Sequence, residues 1–291
     1  MTRWIVRVVG GLLLLVLVAV AVVYVQSNRI INERHAFAPY PVDVPTDSAS
    51  IAQGYRLARM RCFGCHGDSL QGRADFFDEP NIARIVTPNV PRKLASVSDA
   101  EFAGFLRTGV RKDGTSPFVM PPPGFYHLSD ADLGALIAYL RTVPATGPEL
   151  PGNSYRLIGR LGVILGQFKT AVYAFDTTQA RIGQDPAWAT TRHGEYLARV
   201  ICSECHGPRL TGDPAAAGGG SPTPSLSGAL AYSLEEFTNL LRTGTPREPG
   251  KQLGLMGETA RRSLTWLTNE EIAATYEYLK ALPPSGVIES R

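Results

Sequence analysis

Two five-residue stretches decide the reading of this chain: Cys62-Phe63-Gly64-Cys65-His66 and Cys202-Ser203-Glu204-Cys205-His206. Together they hold all 4 cysteines of the 291-residue sequence. A secreted disulfide scaffold would be shorter and richer in cysteine. Outward from the two stretches, the neighbourhoods repeat. Gly54-Tyr55-Arg56-Leu57-Ala58-Arg59 precedes the first, and Gly194-Glu195-Tyr196-Leu197-Ala198-Arg199 precedes the second. Downstream, Glu101-Phe102 leads to Leu106-Arg107-Thr108-Gly109, and Glu236-Phe237 leads to Leu241-Arg242-Thr243-Gly244. Leu136-Ile137-Ala138-Tyr139-Leu140 near the end of the first unit matches Thr275-Tyr276-Glu277-Tyr278-Leu279 near the end of the second. Near-constant offsets of this kind mean duplication of one unit with small insertions.

Each unit reads as helical. Capping boxes mark helix starts at Ser98 with Glu101, Ser129 with Asp132, Ser233 with Glu236, and Thr268 with Glu271. Apolar residues follow at helical spacing: Phe102, Phe105 and Leu106, then Leu133, Leu136, Ile137 and Leu140. Gly109 and Gly244 stand where a helix C-cap belongs. No alternating strand pattern of useful length is present. The expected fold class is all-α: an N-terminal transmembrane helix followed by two tandem helical domains, residues 52–145 and 190–284.

Two cysteines three positions apart at a helix end can form thioethers to the two vinyl groups of one haem. The next residue, His66 or His206, then becomes the proximal iron ligand. Two other chemistries use Cys-x-x-Cys. A thioredoxin-like dithiol sits beside a βαβ pattern, and a zinc site needs two further Cys or His at ligand spacing in each unit. Neither companion is visible. A sixth ligand is available in both units, since Met120 and Met256 each fall between the middle and final helices. A lone Met usually fills a core, but these are two of only 4 in the chain and they sit at equivalent places. His127 aligns with Trp266 and reads as a packing or propionate position; His35 reads as solvated.

On these residues both units resemble class I c-type cytochromes, matching at Cys62, Cys65, His66 and Met120, and at Cys202, Cys205, His206 and Met256. Unit two departs from the usual Met-Pro, having Met256-Gly257. The resemblance implies cytochrome c-like folds, two covalently bound haem c groups and electron transfer. It also implies haem attachment outside the bacterial cytoplasmic membrane, with both domains in the periplasm.

Val8 to Val25 is a run of 18 uncharged residues. As a helix it spans about 27 Å, close to the roughly 30 Å hydrocarbon core of a bilayer. Arg3 and Arg7 flank it, and Trp4 and Tyr24 lie near its ends. An uncleaved single-pass anchor within residues 1–28 is favoured over a cleaved signal peptide, because the apolar run exceeds a usual signal core. Residues 29–51 then read as a proline-stiffened tether. Between the domains, residues 146–189 form a linker whose stretch from Tyr155 to Phe175 has amphipathic helical spacing. It reads either as a helix packed between the two domains, the favoured reading, or as one lying on the membrane. Residues 285–291 form a tail.

A composition of 44% apolar and 19% charged residues excludes a disordered or collagen-like chain. The net charge of +3 carries no basic cluster, so no nucleic-acid partner is expected. The favoured function is a membrane-tethered dihaem relay, an electron carrier and not an enzyme. It would pass electrons from a periplasmic dehydrogenase or quinol-oxidising complex to a terminal oxidase or soluble cytochrome. The rival from the enzyme class is a dihaem cytochrome c peroxidase. No histidine is placed to be its distal ligand, and both units carry a Met.

Overall fold

The computed structural model describes residues 2–120, 123–174, 177–178, 180–182, 193–213 and 222–283. The expected tail lies outside them, as do the first residues of the second domain. The chain opens with a 30-residue helix α1 (Thr2–Ile31). None of its most apolar 18-residue window is buried. A helix of this kind suits a hydrocarbon surround and is compatible with a membrane anchor.

Unit one begins with α2 (Ser48–Arg61), whose N-terminus is capped by Asp47 accepting from Ser50 N at 2.9 Å. The one-turn α3 (Phe63–His66), a hairpin of β1 (Arg73–Glu79) and β2 (Ala83–Thr87), and α4 (Val90–Ala95) follow. Then come α5 (Asp99–Thr108), α6 (Gly124–His127) and α7 (Asp130–Thr142). The linker supplies β3 (Ser154–Tyr155), α8 (Leu157–Ile164) and α9 (Ala171–Ala174). Unit two starts with α10 (His193–Leu197), which runs into a π-helical turn over Ala198–Cys202. It continues with α11 (Ser203–His206), α12 (Leu234–Thr243), α13 (Leu255–Arg262) and α14 (Asn269–Lys280).

The first and last helices of each unit cross at a glycine. A Cβ on Gly54 would lie 1.9 Å from Ala135 O of α7, and one on Gly194 would lie 2.0 Å from Ala274 O of α14. No side chain fits either crossing, so the backbones touch directly. Around them Leu106, Phe125, Leu133, Leu136 and Ile137 fill unit one, and Leu210, Phe237, Ile272 and Leu279 fill unit two, in one continuous buried cluster.

The start signals hold, with one difference. Ser98, Ser233 and Thr268 form reciprocal capping boxes, and Gly109 and Gly244 end their helices at φ 72°. Ser129 caps α7 from one side only, because the Asp132 carboxylate accepts from the Tyr196 hydroxyl of unit two.

Three other features depart from the sequence reading. A small antiparallel sheet in the order β1-β2-β3 exists beside the helices. Its strands alternate weakly because they are half-exposed and bulged between Arg73 and Phe77. The tether is not free. It runs extended along unit one, with His35 N donating to Gly114 O at 2.9 Å and Tyr40 N to Ala100 O at 2.8 Å. Gly104 and Gly134 let it approach, since a Cβ there would meet Ala38 O at 2.4 Å and Asp43 O at 2.0 Å. His35, read as solvated, packs edge-on to Tyr173 at 5.5 Å. The linker helix, finally, breaks early. Gly166 takes φ 69° just past α8, and the Phe168 ring folds back on Gly162, where a Cβ would sit 2.5 Å away. α8 packs against α1 rather than between the two units.

Candidate haem sites and the interface between them

The two Cys-x-x-Cys-His segments have nearly the same geometry. In unit one, Cys62 N closes α2 on Ala58 O at 2.7 Å, and His66 N bonds Cys62 O at 2.8 Å. Gly67, at φ 79°, turns the chain away. Gly72 N returns to His66 O at 2.9 Å, and Val90 N meets Leu70 O at 2.9 Å. In unit two Gly207 turns at φ 78°, Gly212 N meets His206 O at 3.0 Å, and Leu226 N meets Leu210 O at 2.9 Å. Leu70 and Leu210 are fully buried and hold φ 58° and 59°. A bulky residue does not adopt that conformation without surrounding constraint.

Each histidine is oriented by a proline carbonyl. His66 Nδ1 lies 2.9 Å from Pro88 O, and His206 Nδ1 lies 2.8 Å from Pro224 O. A carbonyl only accepts, so Nδ1 carries the proton and Nε2 keeps its lone pair for a metal. Burial pushes both imidazoles below the usual histidine range, which keeps them neutral. The preceding cysteine carbonyls are also held. Thr87 Oγ1 donates to Cys65 O at 2.8 Å, and Thr223 Oγ1 to Cys205 O at 2.6 Å.

The thiols are not set up for dithiol chemistry. Burial pushes Cys62 and Cys202 up to about 12 and Cys65 up to about 11, with Cys205 raised as well. A redox-active pair needs a lowered thiol pKa. Among the described residues there is also no group of three or more His, Cys, Asp or Glu that could hold a metal ion. Two thiols spaced for thioethers, followed by a neutral imidazole with Nε2 free, are the donor set that a covalently attached haem requires.

The cytochrome c family model matches residues 51–144 and 193–283, both units of the repeat. The chain belongs to the cytochrome c family. Covalent haem c follows from that membership. Among curated relatives, the alcohol dehydrogenase (quinone) cytochrome c subunit of Komagataeibacter europaeus is 29% identical over 273 residues, 82% of this chain and 57% of that protein. The fructose dehydrogenase cytochrome subunit of Gluconobacter japonicus is 26% identical over 275 residues, 84% and 54%. The gluconate 2-dehydrogenase cytochrome c subunit of Pantoea cypripedii is 28% identical over 278 residues, 82% and 61%. The chain therefore spans somewhat over half the length of these relatives.

The methionines differ in setting. Both are half-buried against the common core. Met120 lies in irregular chain ahead of α6, whereas Met256 is the second residue of α13. His127 ends α6, where burial and the guanidinium groups of Arg199, Arg107 and Arg181 push it down to about 4. Its counterpart Trp266 instead packs edge-on to Tyr55 at 5.4 Å and lies 5.0 Å under the Arg59 guanidinium.

The sequence reading did not foresee the interface. The two units of this cytochrome meet about a pseudo-two-fold axis, each offering its first helix to the start of the other's last helix. Arg56 of α2 clasps Glu271 of α14 at 2.6 and 2.8 Å. At the equivalent places Tyr196 of α10 donates to Asp132 of α7 and accepts from Ser129 N at 3.0 Å. This is the reciprocal pattern of an isologous dimer, formed here within one chain. The attachment segments consequently face each other. Arg61 Nη2 lies 3.0 Å from Glu204 Oε2, and the Arg61 side chain is only 5% exposed. Each of these residues directly precedes a motif cysteine, Arg61 before Cys62 and Glu204 before Cys205. A signal was present in the sequence: Arg61 is a charge where the repeat has Ile201.

Proposed function

We propose that this cytochrome is a membrane-anchored dihaem electron relay. It would hold one haem in each unit and serve as the electron-transfer subunit of a membrane-associated dehydrogenase. The first group would be held by Cys62, Cys65, His66 and Met120, the second by Cys202, Cys205, His206 and Met256. The bound groups would each supply one reversibly oxidised iron. The chain's own residues do the rest. Pro88 and Pro224 fix the ring tautomers. The buried cores exclude water, and the interface sets the distance between the two centres.

One observation carries this reading: the reciprocal interface brings the two attachment segments together, bridged by Arg61 and Glu204. A carrier working one centre at a time needs no such juxtaposition. The relatives are named as cytochrome subunits of alcohol, fructose and gluconate dehydrogenases, which supports a dehydrogenase as donor. Among the described residues the hydrogen bonds to α1 and to the tether come from unit one and the linker, so electrons would enter at unit two and leave through unit one near the membrane, with the haem domains in the periplasm. A terminal oxidase, a soluble cytochrome or the quinone pool would accept them.

The test is anaerobic reduction of the full-length protein with less than one equivalent of a one-electron donor. The relay predicts that the electron distributes between both centres within the mixing time. Exchange taking seconds, or turnover of hydrogen peroxide at one centre, contradicts it.

A further inference from the structure

α8 is fastened to the end of α1. Arg160 Nη1 donates to Ser27 Oγ at 2.9 Å and to Asn28 Oδ1 at 2.8 Å. Its guanidinium lies 4.3 Å over the Tyr24 ring, and Ser27 is completely buried beneath the contact. On its inner side α8 presses on the turn of the β1-β2 hairpin. Ile158 N bonds Asn81 O at 3.2 Å, and a Cβ on Gly159 would fall 2.0 Å from Ile82 O. Gly159 and Val163 form the buried face. The opposite face carries Leu157, Ile158, Leu161, Ile164 and Leu165, all exposed, with Ile158 at 55% and Leu165 at 71%. At 100° per residue these five span an arc of roughly 120°, the width of stripe that a helix normally buries.

From this geometry we propose that α8 is an interfacial helix lying at the lipid headgroup–acyl boundary, a second attachment of unit one to the membrane. The inference rests on reading α1 as a span. Continuity identifies the occupant as lipid. Arg160 holds α8 at Tyr24, one residue before the apolar run ends at Val25. The stripe therefore sits at the level where the span leaves the bilayer. Val22 and Val25, at the same level of α1, are themselves exposed. Lys169 and Arg29 lie exposed shortly beyond α8 and the span, the cationic flank expected where anionic headgroups are met. With α1 as its only attachment, unit one could rotate about the helix axis. With α8 also seated, its orientation to the bilayer is fixed.

The test uses the haem-loaded, full-length protein in phosphatidylcholine–phosphatidylglycerol vesicles, where thioether formation leaves an introduced cysteine as the only thiol. An environment-sensitive label is placed at Leu165→Cys, at Val16→Cys within the span, and at Leu234→Cys on unit two. Lipids bearing spin-label quenchers at shallow or deep positions are then compared. The proposal predicts that shallow quenchers dim the label at position 165 several-fold more than the one at 234, while deep quenchers dim position 16. If position 165 behaves like 234 while 16 is quenched, α8 faces water or protein and the proposal is overturned with the anchor intact. If position 16 is also unquenched and the protein stays out of the vesicles, the anchor reading fails and takes the proposal with it.

Discussion

The two units agree most closely where a haem would be attached and at their helix crossings and caps, and differ in their interface partners, methionine settings and peripheral contacts. The cysteine spacing, the histidine–proline bond, the threonine bond to the second cysteine's carbonyl and the left-handed leucine recur within about 0.2 Å or a few degrees. The interface partners do not recur: a bidentate Arg56–Glu271 pair in one half stands opposite a Tyr196–Asp132 bond in the other. The methionines sit on different local structure. Among the described residues the β1-β2 hairpin belongs to unit one, the tether runs along unit one, and the link to α1 comes from Arg160 of the linker. The difference teaches that the attachment geometry is held tightly on one face of each unit, while the other faces carry what distinguishes the units.

The largest expected effect separates the two methionine settings. With ligation at both irons, Met120→Ala and Met256→Ala should each remove about half of the far-red sulfur-to-iron absorption and lower the potential of that centre alone. If Met256→Ala leaves spectrum and potential unchanged, its place on α13 makes it core packing, and the units differ in ligation too. Next in size are the helix crossings. Gly54→Ala and Gly194→Ala each force a Cβ onto a carbonyl oxygen, and each should destabilise its own unit by about 2 kcal/mol or more in denaturant unfolding. A loss at only one crossing would break the equivalence of the two cores.

The two arms of the interface should be unequal. Glu271→Ala leaves the half-buried Arg56 guanidinium without its carboxylate and should cost about 2 kcal/mol; Tyr196→Phe removes a neutral hydroxyl and should cost about 1 kcal/mol. Equal losses would show that the charge pair adds nothing over the hydroxyl. The smallest effect is the pH dependence that His127 adds to unit one. His127 is pushed down to about 4 in the folded chain, whereas an unfolded histidine titrates near 6.5. Between those values the unfolded state binds the extra proton, so this stability is full above about pH 6.5 and is lost as pH falls towards 4. His127→Gln should flatten the acid side of the thermal-midpoint profile. Unit two has Trp266 at the equivalent place, which cannot titrate there.

Much of this was legible in the sequence because it is local. The capping boxes of Ser98, Ser233 and Thr268, the left-handed Gly109 and Gly244, and the Cys-x-x-Cys-His spacing are each set by a few neighbouring residues. The interface was not legible, since Arg56 meets Glu271 across most of the chain and no local pattern encodes that pairing. The strap was missed for a related reason. Pro39, Pro41 and Pro45 make a segment stiff and extended whether or not it is pinned, and what pins it is the absence of side chains at Gly104 and Gly134. The linker helix was drawn too long because apolar spacing continues through Gly162 and Gly166, where the backbone turns.

The central claim is that the two motifs are two independent attachment sites on one duplicated frame. Intact-mass measurement of the mature protein tests it most directly, applied to the parent chain and to the paired variants Cys62→Ala with Cys65→Ala and Cys202→Ala with Cys205→Ala. The account predicts a mass gain of two haems in the parent and of one in each variant, resistant to acid acetone. A gain of a single haem in the parent, or loss of both on disabling one motif, would contradict it.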